Sequence, residues 1–401
     1  MKLTTTTIGK KELAPPAGRT EAIHFDDEIP GFGLRIREAG SRSFIFQYKL
    51  GKKHRRMALG VATPETVARA RKTAAGLHAR VKLGQDPASD RVEAQRQASE
   101  TFGPSAEEFL DTLRDRYRPG SFREIRRHLL SHAKPLHHLP VARITLRDIA
   151  EVVSSVTKQS GAVTANRVRS SLSVLFSWLI QNGRVPANPV INAGKNPERP
   201  RDRVLSEAEL KLVWNNLNGD QFAAVVRLLM LTGQRANEIA GLRWSEIGDG
   251  QIVLPAERVK NKRAHTLPLS PAAAEIIEQQ PRRVGRDLIF GDGDGPFSGW
   301  SRCRERLDER ITKANSGKPL PDWTIHDLRR SAATHMAEIG VLPHIVEACL
   351  NHVSGHKDGI AGIYNRATYE KDKRDALIRW ADWLIGVVAS RKGTITPLRR
   401  A

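Results

Sequence analysis

Three short runs early in the chain, near residues 32–37, 43–50 and 54–59, alternate apolar with polar residues or are rich in β-formers, and are separated by "EAGS" and "GKK". Alternation puts every second side chain on one face, so these runs predict a small three-stranded antiparallel sheet. "TPETVARARKTAAGLHARVKLGQDP" then opens with Thr-Pro and continues as an alanine-rich helical pattern ending near Gly84, which predicts one helix packed on that sheet.

Periodicity fades from Asp90 to Thr101, as in a linker. Between 102 and 185 the spacing of apolar positions becomes helical, in "SAEEFLDTL", "FREIRRHLL", "TLRDIAEVVSSV" and "TANRVRSSLSVLFSWLI", and this predicts a helical bundle. "QNGRVPANPVINAGKNPERPRDRVLS", rich in Pro, Asn and Gly, reads as a second linker. A third unit starts near Leu205, where Ser206 and Glu209 have capping-box spacing. Helices follow at 220–232 and 235–242, then a strand pair, "GQIVLPA" and "RAHTLPLS", around the turn "ERVKNK". Further helices are predicted near 271–280, 297–314, 323–339 and 343–350, and from about 370. The expectation is an α+β multidomain chain divided at 1–90, 91–195 and 196–401. Its third part is mostly helical with one small β element.

Charge narrows the choice of partner. Lys and Arg number 65 against 44 Asp and Glu, a net +21 spread over several units, which favours a polyanion and above all nucleic acid. A merely soluble basic protein is the plain alternative. The two cysteines, Cys303 and Cys349, have no partner at zinc-ligand spacing, so neither a disulfide framework nor a structural metal is implied. The longest apolar runs are too short to span a bilayer and no signal peptide opens the chain, so the expected compartment is the reducing cytosol.

Several cationic side chains sit where they could converge. Arg235 and Glu238 in "LTGQRANEIAGLRW" are three apart on a predicted helix, which suits a phosphate-binding guanidinium steadied by a carboxylate and equally suits an ordinary surface ion pair. His326 and Arg329 in "TIHDLRRSAATH" share a face in the same way, with Arg330 turned elsewhere. Lys260 occupies the turn between the predicted strands, and His352 follows a helix end. Tyr364 and Tyr369 come shortly after it, and a phenol becomes a useful nucleophile only where cations stabilise its anion. No paired carboxylate motif suits Mg²⁺, and "FGDGDGPFSG" matches no nucleotide-binding fingerprint, so no metal or cofactor is expected.

Taken in order, "TGQRANEIAGLRW", Lys260 ahead of "PLS", "HDLRRSAAT", "LNH" and "IYNR" resemble the catalytic series of the tyrosine recombinase (phage integrase) family. The stretch "EIPGFGLRIREAGSRSFIFQYKLGKKHRRMALG" is similar to the arm-type DNA-binding domain of satellite-phage and genomic-island integrases. The resemblance implies an arm-type domain, a core-type DNA-binding bundle and a catalytic domain. It implies Tyr364 as nucleophile, with Tyr369 a rival, and Arg235 and Arg329 as a phosphate clamp. Lys260 would protonate the leaving oxygen, His326 and His352 would assist, and Glu238 would support. It also implies double-stranded attachment-site DNA as partner, a homotetramer on DNA, an accessory DNA-bending or excision factor, and a bacterial, nucleoid-associated location. Two other readings remain open: an inactive DNA-binding regulator of the same fold, and a relaxing enzyme of type IB topoisomerase kind.

Overall fold

The computed structural model describes residues 1–352 and 367–389, and the chain separates into two compact units, Met1–Arg199 and Pro200–Ala401.

The first unit opens with a sheet of four strands rather than three. β1 (Glu21–Phe25), β2 (Phe32–Arg37), β3 (Arg42–Leu50) and β4 (Lys53–Val61) pair in sequence order, all antiparallel. The extra strand β1 is half-buried at most positions and lies at an edge, so it carries no alternation to announce it. On one face of the sheet, Phe32, Leu34, Ile36, Phe44 and Phe46 meet Val67, Ala70 and Ala74 of α1 (Val67–Lys82), as well as Leu3 and Ile8. Asp26, its carboxylate fully enclosed, locks the N-terminal segment by accepting from the amides of Leu3, Glu28 and Ile29 at 2.8, 3.0 and 3.0 Å and from Arg71.

The stretch expected to be a linker at 90–101 is instead largely helix, α2 (Pro87–Ser99). Its start is fixed by Asp86 as N-cap and Pro87 at the first turn, while only Pro87 is buried, so the helix has no apolar stripe to betray it. Ion pairs of Arg96 with Glu93 and Glu100 run along its outside. The bundle consists of α3 (Phe102–Leu113), α4 (Pro119–Arg127), α5 (Leu146–Ser160) and α6 (Ala162–Gln181), around Phe102, Phe109, Leu129, Ile149, Leu172 and Phe176. The Pro- and Asn-rich stretch after it is also no free linker over its first half. Val185, Val190 and Ala193 are buried in the bundle core, and Arg169 of α6 donates to the carbonyls of Ala193, Val190 and Ile191 at 2.8, 3.0 and 3.0 Å.

In the second unit α7 (Glu207–Asn215) begins with the capping box of Ser206 and Glu209 that its sequence predicts. α8 (Gln221–Thr232) is the central helix, almost wholly buried, and it stops at Gly233, whose φ of 63° turns the chain sharply into the short helix α9 (Ala236–Ala240). β5 (Ile247–Gly248), β6 (Gln251–Leu254) and β7 (His265–Pro268) form a small antiparallel sheet. α10 (Pro271–Glu278), α11 (Trp300–Ala314), α12 (Ile325–Glu338), α13 (Pro343–Leu350) and α14 (Glu370–Val388) complete the unit. α14 docks on the unit that carries it: Ala376, Leu377, Trp380, Leu384 and Val388 enter the same core as α8, and the Trp380 indole donates to the carbonyl of Met230 at 2.9 Å.

Candidate active site

Gly233 is the pivot of the site. Its left-handed backbone sets Gln234 inward and makes Arg235 the N-cap of α9. The Arg235 guanidinium donates to Glu238 Oε1 at 2.9 Å, and the other carboxylate oxygen accepts from the Arg235 amide at 3.3 Å. Glu238 is buried, so this is no loose surface pair: a fixed carboxylate holds an arginine that keeps part of its side chain open to solvent.

Arg329 comes from α12, whose start is fixed by Thr324 and buried Asp327 in a reciprocal cap. One helical turn further, Arg329 is 4% exposed and donates to the carbonyl of Gly233 at 2.8 Å and to that of Leu350 at 2.5 Å. It therefore joins the end of α8 to the end of α13. Burial, then the positive charge of Arg235, pulls its pKa down to about 10, with Glu238 and Glu347 opposing. It remains charged at neutral pH, and the mutual repulsion of the two guanidiniums shows that they share one field. Arg330 faces away, as expected, with its guanidinium on Asp327.

His326 is exposed at the start of α12. Its pKa is nevertheless lowered, first by lost hydration where the ring meets protein and then by Arg329, Arg330 and Arg235. A neutral imidazole beside two arginines is able to accept a proton. His352 follows the left-handed cap Asn351 at the end of α13, and its Nδ1 lies 3.1 Å from Glu347 Oε2. That partner sets the tautomer with Nδ1–H towards the carboxylate. Lys260 is exposed in the turn between β6 and β7, and among the described residues no hydrogen bond fixes its ammonium. Tyr364 lies outside the described residues. Tyr369 is the half-buried N-cap of α14, its ring 5.3 Å from that of His344 between centroids.

The structure thus joins Arg235 to Glu238 directly, ties Arg329 to the backbone of Gly233 two residues before Arg235, and sets His326 in the field of both arginines. It tethers His352 and the Lys260 turn through their neighbours. Those neighbours are what the sequence pattern did not reveal. Gln234 donates to the carbonyls of Thr232 and Cys349, both at 2.9 Å. His265 of β7 shares the Cys349 carbonyl at 3.1 Å, and burial, followed by the charge of Lys373, drives its pKa to about 3. Arg258 pairs with Glu246 and donates to the carbonyl of Glu238 at 2.8 Å. The only sequence signal for any of these was their adjacency to Arg235 or Lys260. Among the described residues no group of three His, Cys, Asp or Glu could hold a metal ion, and no helix is long and apolar enough to cross a membrane.

A buried arginine on two helix ends and a half-buried one on a buried carboxylate form a positive site suited to an anion, in a unit that follows a helical bundle in the sequence. Residues 203–371 match the phage integrase family, residues 102–195 its central domain and residues 3–94 the arm DNA-binding domain. The chain belongs to the phage integrase family, as a tyrosine-type site-specific recombinase with an N-terminal arm-binding domain. Among its relatives, prophage integrase IntZ of Escherichia coli K12 is 27% identical over 93% of this chain and 94% of its own length. Prophage integrase IntA of the same strain is 26% identical over 88% of each. Of solved structures, a lambda integrase tetramer bound to a Holliday junction aligns with TM-score 0.54 at 19% identity, over 83% of this chain and 99% of that one. A lambda integrase dimer bound to a COC′ core site aligns with TM-score 0.53 at 20% identity, over 87% and 97%. At these identities the structural likeness speaks for the fold.

Proposed function

We propose that this protein integrates or excises a mobile element by cutting and rejoining DNA at attachment sites. In this reading residues 1–90 bind arm sites, 91–195 grip the core site and 196–401 carry the chemistry. Four copies act together on DNA, in the bacterial cytoplasm at the nucleoid.

Arg235, held by Glu238, and Arg329 bind the non-bridging oxygens of the scissile phosphate and stabilise the charge that grows there in the transition state. The phenolic oxygen of Tyr364 attacks phosphorus, the bond to the 5′ oxygen breaks, and a 3′-phosphotyrosyl link forms. The phenolic proton passes to His326, whose lowered pKa favours the neutral ring, and Lys260 supplies a proton to the departing 5′ oxygen. His352 donates from Nε2 to the phosphate when protonated. Rejoining runs the same steps backwards from a new 5′ hydroxyl, and the tyrosyl link conserves the bond energy throughout.

The observation that carries this reading is the pair Arg235 and Arg329, one held by buried Glu238 and the other buried on the carbonyls of Gly233 and Leu350, with burial first and the charge of Arg235 second in lowering the pKa of Arg329. Two like charges so fixed are compensated by an anion between them. The test is a nicked attachment-site duplex that traps cleavage, mixed in EDTA with wild type, Tyr364→Phe and Tyr369→Phe. A covalent protein–DNA adduct lost only with Tyr364→Phe is expected. Specific binding without any adduct in wild type would instead make the chain an inactive DNA-binding protein, and loss with Tyr369→Phe would move the nucleophile.

A further inference from the structure

Lys260 has a problem of placement. A lysine is a flexible point charge, yet a proton donor must stand within hydrogen-bond reach of the oxygen it serves. Its ammonium is exposed, so only the turn that carries it can aim it.

That turn is tied down on both sides. Before it, Arg258 donates to the backbone carbonyl of Glu238, whose side-chain carboxylate holds Arg235. After it, the side-chain amide of Asn261 donates to the backbone carbonyl of Asn351 at 3.0 Å and lies 3.1 Å from Asn351 Oδ1. The other end of the same amide, Asn261 Oδ1, accepts from the backbone of Arg263 at 3.2 Å. Lys262, in the left-handed region at φ 55°, closes the turn by donating to Val259 at 3.1 Å. Asn351 is itself left-handed, at φ 50° and ψ 45°, as the C-cap of α13, and His352 comes next. Asparagine is among the few side chains that accept this backbone.

We propose that Asn261 is a positioning residue that clasps the Lys260 turn to the Asn351 cap, so that Lys260 and His352 are presented to the same phosphate in fixed relation. One amide bridges 90 residues of sequence between the residue after the acid and the residue before the histidine. This inference rests on Lys260 acting as the acid for the leaving 5′ oxygen. Its consequence is specific: loosening the clasp harms protonation of the leaving group and spares phosphate binding and attack.

The experiment compares two nicked attachment-site duplexes, one with the natural 5′ oxygen at the scissile position and one with sulfur there. A thiolate, the conjugate base of a thiol of pKa about 8.5, departs without help from an acid, whereas an alkoxide needs a proton. Single-turnover cleavage is measured for wild type, Lys260→Ala, Asn261→Ala and Asn261→Asp, with equal DNA affinity and equal melting temperature as controls. Lys260→Ala is expected to be slow on oxygen and restored on sulfur. Asn261→Ala and Asn261→Asp, which both remove the donor, are expected to lose about tenfold or more on oxygen, a part of the usual worth of acid catalysis, and to match wild type on sulfur. Asn261→Ala cleaving oxygen at the wild-type rate, or slowed equally on both substrates, would overturn the clasp while leaving Lys260 as the acid. Failure of sulfur to restore Lys260→Ala would overturn the role of Lys260, and the clasp with it.

Discussion

Acid should loosen the second unit through a buried histidine. His265 is buried on β7 with Nε2 on the Cys349 carbonyl, and it is held neutral there with a pKa of about 3 against an ordinary 6.5. A depressed pKa in the folded state means that the unfolded chain binds the proton first. The contribution is intact above pH 6.5 and is lost progressively as pH falls towards 3. With about 1.4 kcal/mol for each tenfold in proton affinity, the unit loses about 2 kcal/mol between pH 7 and pH 5 on account of this one ring. For a unit of this size that is about 4–8 °C in melting temperature. The assay is a thermal melt at both pH values for wild type and for His265→Gln, whose amide can still donate to the carbonyl but cannot titrate. Other groups titrate equally in both proteins, so the difference between the two slopes isolates His265. Equal slopes would refute the claim that the ring is held neutral by burial.

Four further outcomes follow from the same geometry. Gly233→Ala puts a methyl 2.8 Å from Leu350 Cδ2 on a backbone at φ 63°, and it is expected to cost about 1–3 kcal/mol in chemical denaturation while slowing cleavage. Glu238→Gln keeps the shape but removes the charge that steadies Arg235, and single-turnover kinetics should show cleavage slowed by about tenfold or more with DNA affinity little changed. Asp26→Ala strips three backbone amides and Arg71 of their acceptor, so the N-terminal sheet should lose about 3–5 kcal/mol, read by hydrogen exchange, with the second unit unaffected. Binding to attachment DNA should weaken steeply with salt, as counterions are released by the basic chain, and a flat dependence of affinity on salt would contradict the DNA partner.

What the sequence disclosed and what it hid divide along physical lines. His326 and Arg329 are three residues apart on α12, and Arg235 as N-cap meets Glu238 in the first turn of α9, so linear spacing reports both local relations. Ser206 with Glu209 likewise announced α7, because a capping box is a local contact. Hidden were α2, which buries only Pro87 and so has no stripe, and β1, a half-buried edge. The segment after α6 also read as linker, although Arg169 and Asn188 bind it back to the bundle. In the site, Gln234, Asn261 and His265 escaped notice because their partners are carbonyls 84 to 115 residues away. The helix from about 370 was legible, but its docking place shows only in the Trp380 bond to Met230.

Arg329 caps two helix ends at once, while no hydrogen bond among the described residues engages the Lys260 ammonium. The two are therefore under different selection. A chain that ceased to recombine DNA would still draw stability from Arg329, whereas loss of the Lys260 ammonium would break no hydrogen bond among the described residues. A retained arginine at this position is therefore weaker evidence of activity in a relative than a retained lysine in the turn.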